Sequence, residues 1–139
     1  MLIEIKLTND SLEGKPVPAP APENQTGAWA EFRGLVRGPE NGSPIAALEY
    51  EAYQPMAEQT IRQIITEIAA LHPCQQVHVT HRLGVVPVGE AAIVVQVAAS
   101  HRAEAFALIT IFMDRLKQDV PIWKIRSLAP DLLKGRSPV

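Results

Sequence analysis

The sequence predicts an α+β fold in which an antiparallel sheet packs with two long helices. Two stretches, 55–71 and 100–120, carry apolar residues at the three- and four-residue steps of a helix. Several other stretches alternate apolar and polar residues, as half-buried strands do. Some of these neighbouring strands are joined by short links, which favour antiparallel pairing. Strands and helices are interspersed along the chain, and together these features indicate the α+β class.

The first third of the chain is predicted to hold three strands. They lie at Met1–Leu7, Gly27–Val36 and Ile45–Tyr53, each with alternating character. Because Gly38–Pro44 is dense in turn formers, we expect the second and third strands to form a long hairpin. The proline-rich stretch Glu13–Thr26 has no helical or strand period, which predicts an extended or mobile loop.

The middle of the chain is predicted to form a helix, a strand, a turn and a second strand. Pro55–Leu71 is predicted to be a helix, with an apolar stripe formed by Ile61, Ile64, Ile65 and Ile68. Gln75–Leu83 alternates and predicts a strand, and Gly84–Gly89 predicts a turn. Glu90–Ala99 is apolar on both faces, so we expect a central strand covered on both sides.

The second helix follows directly, and cations gather at both of its ends. We expect Ser100 to cap it and Pro121 to end it. His101 and Arg102 then lie in its first turn, where positive side chains oppose the helix dipole unless an anion binds there. A solvated arginine and a surface histidine are the alternative. The predicted buried face consists of Phe106, Ile109, Met113, Leu116 and Val120.

Composition limits the classes of function. The 139 residues, with 47% hydrophobic and 20% charged side chains, suit one globular domain over 1–139, with a strand and Pro-rich loop at 1–26 and a tail at 125–139. A net charge of −2 does not favour a nucleic-acid partner. No stretch approaches the roughly 20 apolar residues of a membrane span. With one cysteine and no secretion signal, we expect a cytoplasmic protein.

Residue spacing argues against several kinds of site. The chain has no GxSxG, GxxxxGK[ST] or GxGxxG motif. His78 and His81 are three residues apart on a predicted strand and so point to opposite faces, which makes a metal site improbable. His81 shares a face with Val77 and Val79, and we interpret it as a core or edge histidine with a hydrogen-bond partner. Cys74 has no activating neighbour, and we predict that it is inert.

Lys117 and Lys124 are the candidate functional lysines. Lys117 flanks the apolar stripe on the last turn of the second helix, and Lys124 follows the stiff Pro121-x-Trp123 turn. Bulky apolar neighbours can desolvate an ammonium and make it a usable acid, base or nucleophile. The alternative is that Lys117 only complements the helix C-terminus and that Lys124 is solvated.

Five segments occur in order along the chain, namely FRGLVR (Phe32–Arg37), LEYEAYQPMAE (Leu48–Glu58), HRLG (His81–Gly84), SHRAEAF (Ser100–Phe106) and MDRLKQDVPIWK (Met113–Lys124). Together they resemble the MoaE family, the large catalytic subunits of molybdopterin synthase. Each segment is a weak signal alone, but five with matching spacings are specific. The resemblance covers about 27–124, most of the chain.

The resemblance implies a hammerhead-type α+β fold and a homodimer within a heterotetramer. A small ubiquitin-like subunit, whose C-terminal Gly-Gly carries a thiocarboxylate, would thread its tail into the large subunit. Its sulfur would pass to cyclic pyranopterin monophosphate in two rounds, giving molybdopterin. This implies a sulfurtransferase that needs no metal or dissociable cofactor, because the sulfur arrives on the partner.

The resemblance also implies a set of site residues. The family's pocket lysines match Lys117 and Lys124, its strand-end arginine matches Arg37, and its phosphate-binding His-Arg pair matches His101 and Arg102. In the family, a pocket can draw residues from both chains of the dimer. Which lysine acts as acid or base, and which stabilises charge, stays open.

The chain departs from the family pattern in two places. Family members commonly continue the Trp-Lys motif with a second lysine and an acid, whereas Ile125, Arg126 and Ser127 follow here. Arg126 is a candidate replacement for the lost charge. The segment before Gly27 lacks the helical signal that is common in the family. A non-catalytic relative that binds an anionic ligand or partner tail remains the alternative function.

Overall fold

The fold consists of a four-stranded main sheet, a three-stranded second sheet, a short hairpin and two long helices. The computed structural model describes residues 1–14 and 24–130. In chain order the elements are β1 (Leu2–Thr8), β2 (Ala28–Leu35), β3 (Pro39–Glu40), β4 (Ser43–Pro44), β5 (Ala47–Ala52), α1 (Gln54–Leu71), β6 (Gln76–Arg82), β7 (Gly84–Pro87), β8 (Ala91–Ala99), α2 (Arg102–Asp119) and β9 (Ile122–Leu128). The predicted α+β class and the two long helices are confirmed.

The main sheet has the strand order β1-β6-β8-β2. β6 and β8 are joined by a short link and run antiparallel, as predicted. β2 also runs antiparallel to β8, a pairing that was not predicted, and β1 runs parallel to β6. A parallel pair needs a long connection, and the chain between β1 and β6 is long enough to provide one. Every residue of β8 is buried, which confirms the central strand that the apolar run predicted.

Both helices pack on one face of the main sheet and form the principal core with it. The predicted isoleucine stripe of α1 is confirmed, because Ile61, Ile64, Ile65 and Ile68 are all buried. The face predicted for α2 is wrong at Phe106, which is 60% exposed. The buried residues of α2 are Ala105, Leu108, Ile109, Phe112 and Leu116. Phe106 follows Ala105 by one residue, a turn of about 100° that carries it off this stripe.

The start of α2 also differs from the prediction. The N-cap position is His101, without a side-chain cap hydrogen bond, and the helix itself begins at Arg102. The Ser100 hydroxyl is used elsewhere, because it accepts a hydrogen bond of 2.8 Å from Nε2 of Gln75. The helix ends at Asp119, so Pro121 terminates it as predicted.

The predicted long hairpin is wrong, because β2 and β5 belong to different sheets. β2 pairs with β8, whereas β5 is the middle strand of the second sheet, in the order β7-β5-β9. The turn formers instead build their own hairpin of β3 and β4. Its two-residue turn, Asn41-Gly42, has positive φ at both positions, the geometry that favours tight hairpins. This hairpin diverts the chain from one sheet to the other.

Two strands of the second sheet lie where the sequence predicted a turn and a tail. β7 lies within the predicted turn Gly84–Gly89, and β9 extends into the predicted tail at 125–139. β9 is mostly exposed and has no clean apolar alternation, so its pairing with β5 had no signal in the sequence. Most of the predicted proline-rich loop (15–23) and the end of the tail (131–139) lie outside the described residues.

Candidate functional site

A cavity of about 590 Å³ lies between the main sheet, the C-terminal half of α2 and the second sheet. Arg37, Lys117 and Lys124 all line it. Arg37 follows the end of β2, Lys117 is in the last turn of α2, and Lys124 is on β9. Three cations from different elements of the fold therefore surround one space.

The turn at Pro121 explains how both lysines reach the same cavity. Lys117 lies in the last turn of a helix that packs on the main sheet, and the chain then reverses into β9. On β9, Lys124 lies opposite Tyr50 of β5, and both side chains line the cavity. In the described part of the chain neither Arg37 nor Lys117 forms an ion pair, so both charges are available to a ligand.

Glu40 is a cavity residue that sequence reasoning missed. It lies on β3, and its Oε1 accepts a hydrogen bond of 2.8 Å from Nζ of Lys124. Its Oε2 is buried without a partner among the described residues. A carboxylate thus lies within a cluster of cations and neutralises one of them. Its proximity to Lys124 depends on the β3–β4 hairpin, which the sequence did not predict.

Two neutral polar rings complete the lining. His81 of β6 and Tyr50 of β5 pack edge to face, with ring centroids 5.3 Å apart. Nδ1 of His81 lies 2.7 Å from the carbonyl oxygen of Arg82, so the predicted hydrogen-bond partner is confirmed. Burial lowers the pKa of His81 and raises that of Tyr50, so both rings are neutral near pH 7. The sequence predicted His81 as a core or edge histidine but did not predict that it lines the cavity.

Three other candidate residues do not line this cavity in the single chain. His101 and Arg102 are exposed at the start of α2, and Nδ1 of His101 lies 4.0 Å from Oε2 of Glu104. Arg126 is exposed and forms an ion pair with Glu49. The structure therefore brings Arg37, Lys117 and Lys124 together but not these three.

A register shift in β9 explains why Lys124 and Arg126 separate. Two residues apart on a regular strand, they would share a face. Here Lys124 pairs with Tyr50 and Arg126 with Glu49, so Ile125 is an extra residue without a partner on β5. Because Tyr50 and Glu49 point to opposite faces, the bulge sends Lys124 to the cavity and Arg126 to the outer surface.

Other kinds of site have less support in the structure. Within 1–14 and 24–130, no group of three or more His, Cys, Asp and Glu side chains is arranged to hold a metal ion. Across the same residues, neither helix is long and apolar enough to cross a membrane. Burial, reinforced by the charge of Glu104, raises the pKa of the Cys74 thiol to about 11, in agreement with its predicted inertness.

The structure thus defines an α+β protein with a cation-lined cavity between two sheets, a class suited to an anionic ligand. The model of the family described as "MoaE protein" matches residues 7–119, and the chain belongs to this family. It is 44% identical over 98 residues to the human protein named molybdopterin synthase catalytic subunit. That match covers 70% of this chain and 52% of the human protein, so the chain spans about half the length of that relative.

Solved structures show the same fold. The structure of molybdopterin synthase from Staphylococcus aureus has a TM-score of 0.78 and 29% identity, and the match covers 91% of each chain. A Helicobacter pylori structure is described as a complex of subunits 1 and 2 of molybdopterin-converting factor. It shares the fold at a TM-score of 0.65 and 20% identity, over 97% of this chain and 92% of that one.

Proposed function

We propose that this chain is the catalytic subunit of a molybdopterin synthase. In this proposal it transfers sulfur from the C-terminal thiocarboxylate of a small ubiquitin-like subunit to cyclic pyranopterin monophosphate. The single observation that carries the proposal is the meeting of Arg37, Lys117 and Lys124 at one cavity. Membership of the MoaE family supports it independently.

The proposed chemistry requires fixed positive charge. The substrate carries a cyclic phosphate and the sulfur donor is also an anion, so the site must hold two groups that repel each other. Preorganised cations lower this repulsion and stabilise the charge that develops during reaction. The guanidinium of Arg37 suits phosphate oxygens, which it can bind with two parallel hydrogen bonds. The cavity volume of about 590 Å³ is within the range of small-molecule sites.

We assign the two lysines to the reacting groups. Lys117 and Lys124 orient the thiocarboxylate and stabilise the charge that forms as its sulfur attacks the substrate. One of them also passes protons while the cyclic phosphate opens. The protein needs no metal or dissociable cofactor for these roles, because the sulfur arrives on the partner subunit.

The remaining candidate cations act from a second copy of the chain in this proposal. His101 and Arg102 are exposed at the N-terminus of α2, where free backbone N–H groups favour an anion. Phe106 adds exposed apolar surface on the next turn, which a subunit interface would bury. We therefore propose a homodimer in which each pocket draws His101 and Arg102 from the partner chain, with one small subunit at each end of a heterotetramer.

The outward orientation of Arg126 bears on its proposed role. Its partner is Glu49 on the outer face of the second sheet, so in the single chain it does not supply the charge missing after Lys124. A role for Arg126 in substrate binding requires the dimer or the small subunit to complete the site. We place the reaction in the cytoplasm, the reducing compartment that suits a protein whose one cysteine, Cys74, is free.

Reconstitution tests the proposal. The chain is mixed with a thiocarboxylated small subunit and cyclic pyranopterin monophosphate, and molybdopterin is measured over time. We expect product with the native chain and a loss of about a hundredfold or more with Lys117→Ala, as for removal of one preorganised charge. Arg115→Ala is the matched control, because Arg115 is a cation of the same helix that pairs with Glu67 outside the cavity.

The outcomes separate the two candidate functions. Full activity of Lys117→Ala would contradict the role assigned to that lysine. Binding of both the small subunit and the substrate without product would favour the non-catalytic anion-binding alternative. Light scattering of the native chain tests the homodimer separately.

A further inference from the structure

His81 is an exception to the composition of its own strand face. Along β6, Val77 and Val79 face the helices and pair with Val97 and Val95 of β8, and His81 continues this row opposite Ile93. The other buried polar residues, Gln76, His78 and Gln96, lie on the opposite face by alternation. Within 1–14 and 24–130, His81 is therefore the one buried polar side chain on the inner face of the main sheet, and it is 5% exposed. It stands where the apolar row meets the cavity.

The hydrogen bond at Nδ1 fixes the tautomer of His81. Its partner is the carbonyl oxygen of Arg82, which can only accept, so Nδ1 carries the hydrogen. A neutral imidazole has one N–H, and Nε2 is therefore a hydrogen-bond acceptor. Burial lowers the pKa of His81 and outweighs the hydrogen bond to the carbonyl oxygen of Arg82, which acts in the opposite direction. No described residue bonds to Nε2, so its lone pair is available to a ligand.

Tyr50 stands beside this acceptor because of the turn that follows β6. Gly84 has φ of +79°, a conformation that glycine adopts without strain, and it leads the chain directly from β6 into β7. Tyr50 pairs with Gly84 across the second sheet, which brings the phenol ring against His81. Burial raises the pKa of Tyr50, so its hydroxyl keeps its proton and can donate.

The cavity is therefore divided into two chemical regions. Arg37, Lys117 and Lys124 form a cationic region, and His81 and Tyr50 form a neutral region that offers one acceptor and one donor. A bare acceptor repels an anion and attracts an N–H or O–H group. A ligand that carries a phosphate at one end and a hydrogen-bonding heterocycle at the other matches this division.

We propose that His81 is a specificity-determining residue of this site, at which Nε2 accepts a hydrogen bond from an N–H or O–H group of the ligand's ring system. The cations then hold the phosphate, and His81 sets which edge of the ring system enters the neutral region. This inference rests on the proposed function for the identity of the ligand, and it concerns a residue outside the cation set.

Binding measurements on the full chain test the role of His81. Calorimetry compares cyclic pyranopterin monophosphate with inorganic phosphate, which has no ring system. We expect His81→Leu to weaken binding of the pyranopterin by about tenfold or more, because its donor would lose the buried partner, and to leave binding of phosphate unchanged. His81→Gln, whose side-chain carbonyl can accept, should restore part of the loss. His78→Leu is the matched control, a histidine of the same strand that is 9% exposed and faces away from the cavity.

Each outcome decides the proposal. Pyranopterin affinity that is the same in His81→Leu and the native chain overturns it, even if the native chain makes molybdopterin and the proposed function stands. Equal weakening of pyranopterin and phosphate also overturns it, because the effect would then not be specific to the ring system. If the native chain binds phosphate but no pyranopterin, both the proposed function and this inference fail. Thermal unfolding checks that each variant is folded, and His81→Gln serves as the deciding variant if His81→Leu is not.

Discussion

Replacing Glu40 by glutamine should make the cavity bind anions more tightly. Glu40 forms an ion pair of 2.8 Å with Lys124, and the two side chains are 24% and 47% exposed. Such a partly exposed pair contributes about 0.2–1 kcal/mol, which a ligand must overcome to use Lys124. The carboxylate also repels an incoming anion, by about 3 kcal/mol at a separation of about 6 Å and an effective dielectric constant of about 20. These terms sum to about 3–4 kcal/mol as an upper bound, because solvent and salt screen groups that are this exposed. If screening leaves about 1 kcal/mol, binding tightens about fivefold, and we take this as the smallest expected effect.

Calorimetric titration with inorganic phosphate at low salt measures this effect. Glu49→Gln is the matched control, because Glu49 also pairs with a cation of β9 and is 23% exposed, but it lies outside the cavity. We expect Glu40→Gln to bind phosphate more tightly than the native chain and Glu49→Gln to bind it equally well. The difference should shrink as salt is added, because ions screen these charges. Unchanged or weaker binding by Glu40→Gln would refute the view that Glu40 competes with the ligand for Lys124.

Three further predictions concern stability and reactivity. Phe112 is fully buried, so Phe112→Ala should lower the free energy of unfolding by about 3–5 kcal/mol. In the dissociated monomer, Phe106→Ala, on the exposed side of the same helix, should change it by less than about 0.5 kcal/mol. Urea titration at a protein concentration low enough to keep the chain monomeric compares the two variants, and equal losses would contradict the packing described. Because burial lowers the pKa of His81, this histidine takes up a proton more readily in the unfolded chain than in the folded chain. The free energy of unfolding should therefore fall as the pH drops below about 6.5, the ordinary pKa of histidine. His81→Leu should lose less stability than the native chain between pH 7 and pH 5, and an equal loss would show that His81 is not responsible. The pKa of Cys74 is raised to about 11, so at pH 8 iodoacetamide should alkylate it roughly a hundredfold more slowly than a thiol of ordinary pKa, and rapid alkylation of the folded protein would contradict this.

Local sequence patterns correctly predicted the elements that pack into the principal core. The apolar stripe of α1 and the two-sided apolar run of β8 are confirmed because burial against the main core imposes those patterns. The second sheet was missed because β9 is mostly exposed and its partner β5 lies far away in sequence, so no local pattern records the pairing. For the same reason the predicted hairpin between β2 and β5 is wrong.

The same limit applies to the site, where residues in recognisable motifs were predicted and residues brought in by distant strand pairing were not. The resemblance singled out Arg37, Lys117 and Lys124, and the structure brings them to one cavity, although their roles remain proposals. Glu40 and Tyr50 reach that cavity only through the β3–β4 hairpin and the second sheet, which the sequence did not predict. The HRLG segment carried a usable signal for His81, because a glycine soon after a histidine marks a turn at the end of a strand.

The unpaired Ile125 makes the length of β9 as important as its composition. Lys124 of this strand lines the cavity and Arg126, two positions later, lies on the outer surface, and this division depends on one residue that has no partner on β5. Inserting a residue between Trp123 and Lys124, with Ile122 still paired to Ala52, would move the lysine one position along β5 and reverse the side to which it points, while leaving every native side chain in the sequence. Tolerance to substitution and tolerance to insertion are therefore separate properties of this strand.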